Sequence, residues 1–383
     1  MTELGEKILK VAEEEKEAML SFLMELASLE SPSDVPEAQV PVQALLTSAL
    51  EEVGYRVRKL PGKKTGGVLF AAPGDRVRHR PAQLLLGHCD TVWKMGTLET
   101  MPLVLEDGRL RGPGVFDMKA GLAQVVFALK ILRRLGLEPE VIPVVLVNSD
   151  EEIGSPESTR TIRLVSRRVI RAYIPEPSVG DQGRLKTVRK GVARFSLRVK
   201  GKAAHAGLDP TGGASAILEL SHVIQSLHAM TELERGISVN VGVISGGTRP
   251  NVIAPEALAE VDVRMLSVRD GEEMEDRIRS LLPTVPGTRL EIEGGTLMGP
   301  LERTPRNRAL WEAAREAAVD LGLTLEEATV GGGSDGNTTS QFTATLDGLG
   351  AVGDGAHAPH EFLYVDRQVE RCALLARLLL LAP

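Results

Sequence analysis

Three mainly apolar runs, GGVLFAA (residues 66–72), AQLLLGH (82–88) and VIPVVLVNS (141–149), alternate with the helix-patterned stretch AGLAQVVFALKILRRLG (120–136). Strands that are apolar on both faces must be covered on both faces, which calls for an α/β sheet with helices above and below. A helical pattern over Val40–Val53, closing at Gly54, supplies one such cover. From about residue 181 the texture changes: ARFSLRVKG, ISVNVGVISGG and ALAEVDVRMLS alternate, helical stretches fall near Ala214–Leu227 and Glu272–Leu282, and RLEIEGG closes the block. Alternation of that kind belongs to an antiparallel sheet with one face solvated. From about Thr304 the first texture returns. At 383 residues the chain is long for one core. The expected architecture is therefore an α/β domain of residues 1–180 and 296–383, with a mostly parallel central sheet flanked by helices. An inserted α+β domain of residues 181–295, with an antiparallel sheet and two helices, interrupts it.

A formal charge of -7 and a pI near 5.7 give no reason to expect nucleic acid as a partner. The N-terminal stretch MTELGEKILKVAEEEKEAMLSFLMELASLE is charged throughout and lacks the apolar core of a signal peptide, and no run reaches the roughly 20 apolar residues of a membrane span. A cytoplasmic protein without a membrane partner is expected. Two cysteines, Cys89 and Cys372, exclude a disulfide framework, and Cys89 is expected in the core.

Sheets covered on both faces carry their sites at strand ends. The run 82–88 ends on His88, and Asp90 lies two residues on, so the two share one face of an extended segment. Four further clusters fall at other junctions: Asp117 in RGPGVFDMKAG, the acids of SDEEIGS (149–155), Glu176 in IPEPS, and His357 and His360 in AHAPHEF. Each alone fits a helix cap or a solvated charge. Together they form the N/O donor set suited to zinc, and the excess of carboxylates suggests two cations. The remaining histidines differ: His79 sits in the charged loop RVRHRP and is expected in solvent, while His222 and His228 fall on a helix of the inserted block as structural residues.

The blocks GHCDTV, GPGVFDMKAG, SDEEIGS, IPEPS and GAHAPHEF, with VKGKAAHAG and GGTRPNVIAPEALAEVDVR in the insertion, resemble the dizinc metallopeptidases that include glutamate carboxypeptidase, aminoacylase and succinyl-diaminopimelate desuccinylase. The resemblance runs in order over nearly the whole chain. It implies two Zn2+ per subunit, with Co2+ or Mn2+ as possible substitutes. His88 and Glu176 would hold one ion, Glu152 and His357 the other, and Asp117 would bridge them. His357 is preferred to His360 because the ligand histidine lies four residues before a glutamate, here Glu361. Glu151 would be the general base for a hydroxide held between the ions, Asp90 would orient His88, and His205 would reach the oxyanion from the partner of a homodimer built through the inserted domain.

For substrate, the resemblance implies Arg264 and Asn251, the backbone of the turn Gly331, Gly332 and Gly333, and a cation at Arg184. Many members carry R-P-P before the returning helix, whereas Met298, Gly299 and Pro300 stand here, so strict selection for a C-terminal glutamate does not follow. The expected activity is cleavage of an amide bond next to a free carboxylate, in the manner of a glutamate carboxypeptidase. N-acyl amino acid deacylation is the alternative within the class, and a non-catalytic metal-binding protein the alternative outside it. A nucleotide site at VGGGSDGN is disfavoured because no Walker-type lysine follows. Junction glycines near Gly180 and Gly295 would let the inserted domain act as a lid.

Overall fold

The computed structural model describes residues 1–74 and 80–383, so the expectation for His79 lies outside the described residues. The chain divides into two compact units, Met1–Thr187 with Arg303–Thr329 and Ser334–Pro383, and Val188–Glu302 with Val330–Gly333. Both junctions fall seven residues beyond the change in texture (187 against 180, 302 against 295). The reason is continuity of strands: Leu185–Arg189 and Arg289–Met298 run past the glycines that look like breaks. Gly180 instead belongs to a tight turn in which the Val179 and Arg184 backbones bond to each other.

In the first unit an eight-stranded sheet has four parallel strands at its centre, in the order Ile142–Asn148, Ala82–His88, Arg171–Ile174 and Ala344–Asp347. The flanking strands Tyr55–Leu60, Val68–Pro73 and Leu185–Arg189 pair antiparallel, and Glu327–Val330 is the eighth, at the edge beside Leu185–Arg189. Every residue of Ala82–His88 and Ile142–Asn148 is buried, as two-sided cover requires. Successive side chains go to opposite layers. Leu85, Val145 and Val147 join the cluster formed by the helices Glu3–Glu14, Lys16–Ser28, Gln39–Glu52, Ala120–Arg134 and Val365–Leu379. Leu84, Leu86, Val144 and Leu146 join the cluster capped by Ile162 of the helix Thr159–Ser166. Each fully buried leucine contributes about 1.5–3 kcal/mol.

Parallel pairing puts the carboxyl ends of these strands side by side: His88 is level with Asn148, and Ile174 with Asp347. The segments that follow, 89–90, 149–152 and 175–176, therefore leave along one edge of the sheet. A second, small antiparallel sheet orders Gly353–Asp354, Phe362–Tyr364, Arg109–Arg111 and Val104–Glu106. It joins the segment before Asp117 to the segment after His357.

The second unit has a four-stranded antiparallel sheet, in the order Ser238–Gly246, Glu256–Met265, Gly191–Lys200 and Arg289–Met298. The strand Gly191–Lys200 buries Ala193, Phe195, Leu197 and Val199 and turns the intervening residues outward. Its core is closed by Leu220, Val223 and Leu227 of the helix Ala216–His228 and by Met274 and Ile278 of the helix Val268–Arg279. The second helix starts four residues before the expected Glu272, because Ser267 caps it through the Asp270 amide.

Candidate metal centre

His88 ends its strand with the imidazole 1% exposed, and Gly87 makes room for what lies beneath it. A Cβ on Gly87 would stand 2.7 Å from Met118 Cε, and the His88 amide donates to Met118 Sδ at 3.3 Å. His88 Nδ1 faces the Asp90 main-chain carbonyl at 3.0 Å and the Asp90 carboxylate at 3.5 Å. A carbonyl can only accept, so Nδ1 carries the hydrogen and Nε2 of the neutral ring offers a lone pair. The Asp90 carbonyl thus lies nearer to His88 Nδ1 than the Asp90 carboxylate does. That carboxylate holds a different set of groups, accepting from Ser33 Oγ at 2.6 Å and from the Glu151 and Glu152 amides at 3.3 and 3.2 Å.

His88 Nε2 is buried and without a hydrogen-bond partner, yet it looks at three carboxylates: Glu176 at 3.3 Å, Asp117 at 3.4 Å and Glu151 at 3.9 Å. The opposite oxygen of Asp117 lies 3.5 Å from His357 Nε2, which is 3.1 Å from Glu152. Asp117 therefore stands between the two imidazoles. The helix Ala120–Arg134 begins just beyond it, and Gly121 lets that helix approach the strand end, since a Cβ there would meet the Pro175 carbonyl at 1.9 Å. Donor atoms of His88, Glu151 and Glu176, and of His88, Asp117 and Glu152, lie within 4.8 Å of one another.

These spacings fit a divalent cation. Tetrahedral ligands about 2.0–2.1 Å from zinc stand roughly 3.3 Å apart, close to the separations around His88 Nε2. The charge also demands one, because Asp90, Asp117, Glu151, Glu152 and Glu176 outnumber two imidazoles in a nearly dry pocket. In the metal-free chain protons take that place. Burial opposes a charged His88, but the facing carboxylates of Asp117, Asp90 and Glu176 overcome it and hold the ring well above the usual imidazole value. Hydrogen bonds to Asp117 and Glu152 raise His357 to about 10. Burial would raise Asp117, but His357 and His88 hold it far below the usual carboxylate range. Glu151 goes the other way: burial, then the charges of Glu176, Asp335 and Glu152, push it well up against the pull of His88. A buried carboxyl with a raised pKa suits proton transfer.

The other expected site residues are distributed as follows. His360 is exposed beside His357 in the turn. Arg184 lies in the Val179–Arg184 turn with Nε 3.5 Å from the Val179 carbonyl. Lys186, not singled out from the sequence, lowers Asp117 by its charge. Within the second unit, His205 and Asn251 are brought together: the Ala206 amide donates to the Asn251 carbonyl at 3.0 Å, and His205 bridges to Val252. His205 Nδ1 accepts from the Gly207 and Leu208 amides, both at 3.2 Å, so Nε2 carries the hydrogen. The fork of Arg264 is engaged by Asp262 at 2.7 and 3.1 Å. The carbonyls of Gly332 and Gly333 accept from Arg189 at 3.2 and 2.9 Å. His222 and His228 are exposed on their helix, and Cys89 and Cys372 are buried free thiols. Among the described residues no helix is long and apolar enough to cross a membrane.

Comparison with known proteins shows what the chain resembles. The chain is 26% identical over 385 residues to carboxypeptidase G2 of Pseudomonas sp. (strain RS-16), covering 97% of this chain and 91% of that one. It is 27% identical over 379 residues to acetylornithine deacetylase of Myxococcus xanthus, covering 94% and 96%. The fold is shared with the Bacillus subtilis YXEP protein, described as a dinuclear metal binding peptidase, at a TM-score of 0.70, 17% identity and coverage of 95% and 97%. The sequence profile described as Peptidase family M20/M25/M40 matches residues 84–381, a span that holds every residue of the centre, and the chain is a hydrolase belonging to that family.

Proposed function

We propose that the protein is a dizinc amidohydrolase that cleaves an amide or peptide bond next to a free carboxylate, as a glutamate carboxypeptidase does. The observation that carries this reading is Asp117, one oxygen toward His88 and the other toward His357, in a pocket whose carboxylates exceed its imidazoles. His88 and Glu176 would hold one ion, Glu152 and His357 the other, and Asp117 both. Cobalt or manganese could take the same donors.

Bound divalent cations acidify a water and polarise a carbonyl. The chain's own groups do the rest. Glu151 is held by its amide on Asp90, which leaves its carboxyl to take the proton of the attacking water and return it to the departing nitrogen. His205, with hydrogen on Nε2, is a donor for the developing oxyanion. Supplied by a second copy of the chain, it would make the second unit a dimerisation and lid element. Arg264, Asn251 and the turn Gly331–Gly333 remain the substrate contacts we propose; Arg264 would exchange Asp262 for the substrate carboxylate. Lys186, whose charge acts on Asp117, joins Arg184 as a candidate for a first-unit cation facing that carboxylate. A cytoplasmic location goes with two free thiols.

The relative named as a deacetylase favours one second reading, N-acyl amino acid deacylation, by the same chemistry with a different pocket. Zinc-loaded protein assayed on N-acyl amino acids and on peptides ending in glutamate, aspartate or alanine separates the two. Turnover on at least one class is expected. Turnover on none, with metal bound, contradicts the proposal.

A further inference from the structure

On the two-cation reading proposed above, we infer that Glu361 is a positioning residue that sets the spacing of Asp117 and His357, and with it the affinity for the cation those two share. The Glu361 side chain is fully buried and accepts from four N–H donors. Oε1 accepts from the Phe116 amide at 2.9 Å and the Asp117 amide at 3.0 Å. Oε2 accepts from the Gly114 amide at 2.9 Å and Trp93 Nε1 at 2.8 Å. Three of the four come from one loop, so residues 114–117 curl around a single carboxylate.

The main chain of Glu361 engages the same loop. Its carbonyl accepts from the Gly112 amide at 3.2 Å, and its own amide donates to Ala358, one residue past His357, at 2.9 Å. Directly after it Phe362–Tyr364 pairs with Arg109–Arg111, so the residues before the Asp117 loop and after the His357 turn are in register. The small sheet brings the two segments together, and the Glu361 carboxylate fixes their final spacing at the level of the Asp117 backbone. His357 needs such support, because its ring is 53% exposed and its backbone is left-handed at φ 62°. A carboxylate suits this position because both oxygens only accept, each with room for two donors. Glutamine would turn an amide NH2 toward two of these N–H groups.

The test is a zinc titration of the metal-free full chain against a chromophoric chelator, on the wild type and on Glu361→Gln, with tryptophan emission followed in parallel. Trp93 reports the carboxylate, and the only other tryptophan, Trp311, is packed in the core. The wild type is expected to bind two equivalents. Glu361→Gln is expected to bind at least one of them about 10- to 100-fold more weakly, with shifted Trp93 emission, a metal-free unfolding midpoint close to wild type, and turnover that returns in excess zinc. Equal affinities in the two chains overturn the inference, as does a lowered metal-free midpoint with unchanged affinity, which would make Glu361 a clamp of the fold alone. A wild type that binds one equivalent contradicts the two-cation reading and the shared cation with it. Should Glu361→Gln fail to fold, Trp93→Phe removes one donor of the four. A smaller loss of the same affinity is then expected, and none overturns the inference.

Discussion

The two imidazoles of the centre are held in opposite ways. His88 ends a central parallel strand, is 1% exposed and has its Nδ1 fixed by the Asp90 carbonyl. His357 sits in a turn between short strands, its ring 53% exposed and its backbone in the left-handed region, which costs a non-glycine residue roughly 1–2 kcal/mol. A ligand on a rigid strand is ordered before the cation arrives, whereas one on a turn is ordered partly by the cation. The comparison predicts two unequal positions, a tight one at His88 and an exchangeable one at His357.

The largest effect separates the two directly. On the proposed assignment each imidazole holds one ion, so His88→Ala is expected to lose the tight equivalent and all turnover, while His357→Ala keeps that equivalent and loses only the exchangeable one. The losses should exceed the roughly 10- to 100-fold typical of residues behind the ligands, and metal analysis after gel filtration reads them. Loss of the same equivalent in the two variants would break the comparison. Asp90→Ala comes next. Its main-chain carbonyl remains on His88 Nδ1, but the Glu151 and Glu152 amides lose their acceptor. Metal affinity or turnover should fall about 10- to 100-fold with the fold intact; unchanged zinc content and turnover would remove Asp90 from the site.

A smaller effect is expected at Lys186, whose charge acts on Asp117, the ligand proposed for both positions. Lys186→Ala should raise KM for a carboxylate substrate about 10-fold, the size of one charged hydrogen bond, and Arg184→Ala should leave KM within about twofold of wild type. The reverse order would favour Arg184. The smallest effect concerns pH. In the metal-free chain His357 is raised to about 10 from 6.5, so its charge stabilises the fold fully below pH 6.5 and is lost as pH rises toward 10. His88 acts in the same direction. Glu151 and Glu152, whose raised values favour the protonated form in the fold, also lose stability as pH rises. Under chelator the urea midpoint should fall gradually from pH 6.5 to 10, and zinc should flatten the slope. A midpoint that climbs with pH under chelator would contradict the charge arrangement.

Much of the converging donor cluster is legible in the sequence because its members follow apolar runs: His88 at a strand end, Glu151 and Glu152 after VIPVVLVNS, Glu176 after a short run. What is not legible joins residues distant along the chain. Ser33 behind Asp90 and Glu361 behind Asp117 are hydrogen-bonded across 57 and 244 residues. The strands that carry the second pairing are two or three residues long, too short to leave a periodic pattern. Arg264 and Asp262 lie two apart on one strand and so share a face, a proximity that alternation alone could have indicated. The junctions depart from expectation because glycine marks turns as readily as boundaries, and the strands run on.

The most direct measurement is turnover and metal content of Glu151→Gln beside wild type, on the best substrate of the panel. Two equivalents are expected in both chains, with a fall in kcat of about 10²- to 10⁴-fold in the variant. A variant that turns over as fast as wild type, with both equivalents in place, would contradict Glu151 as the base.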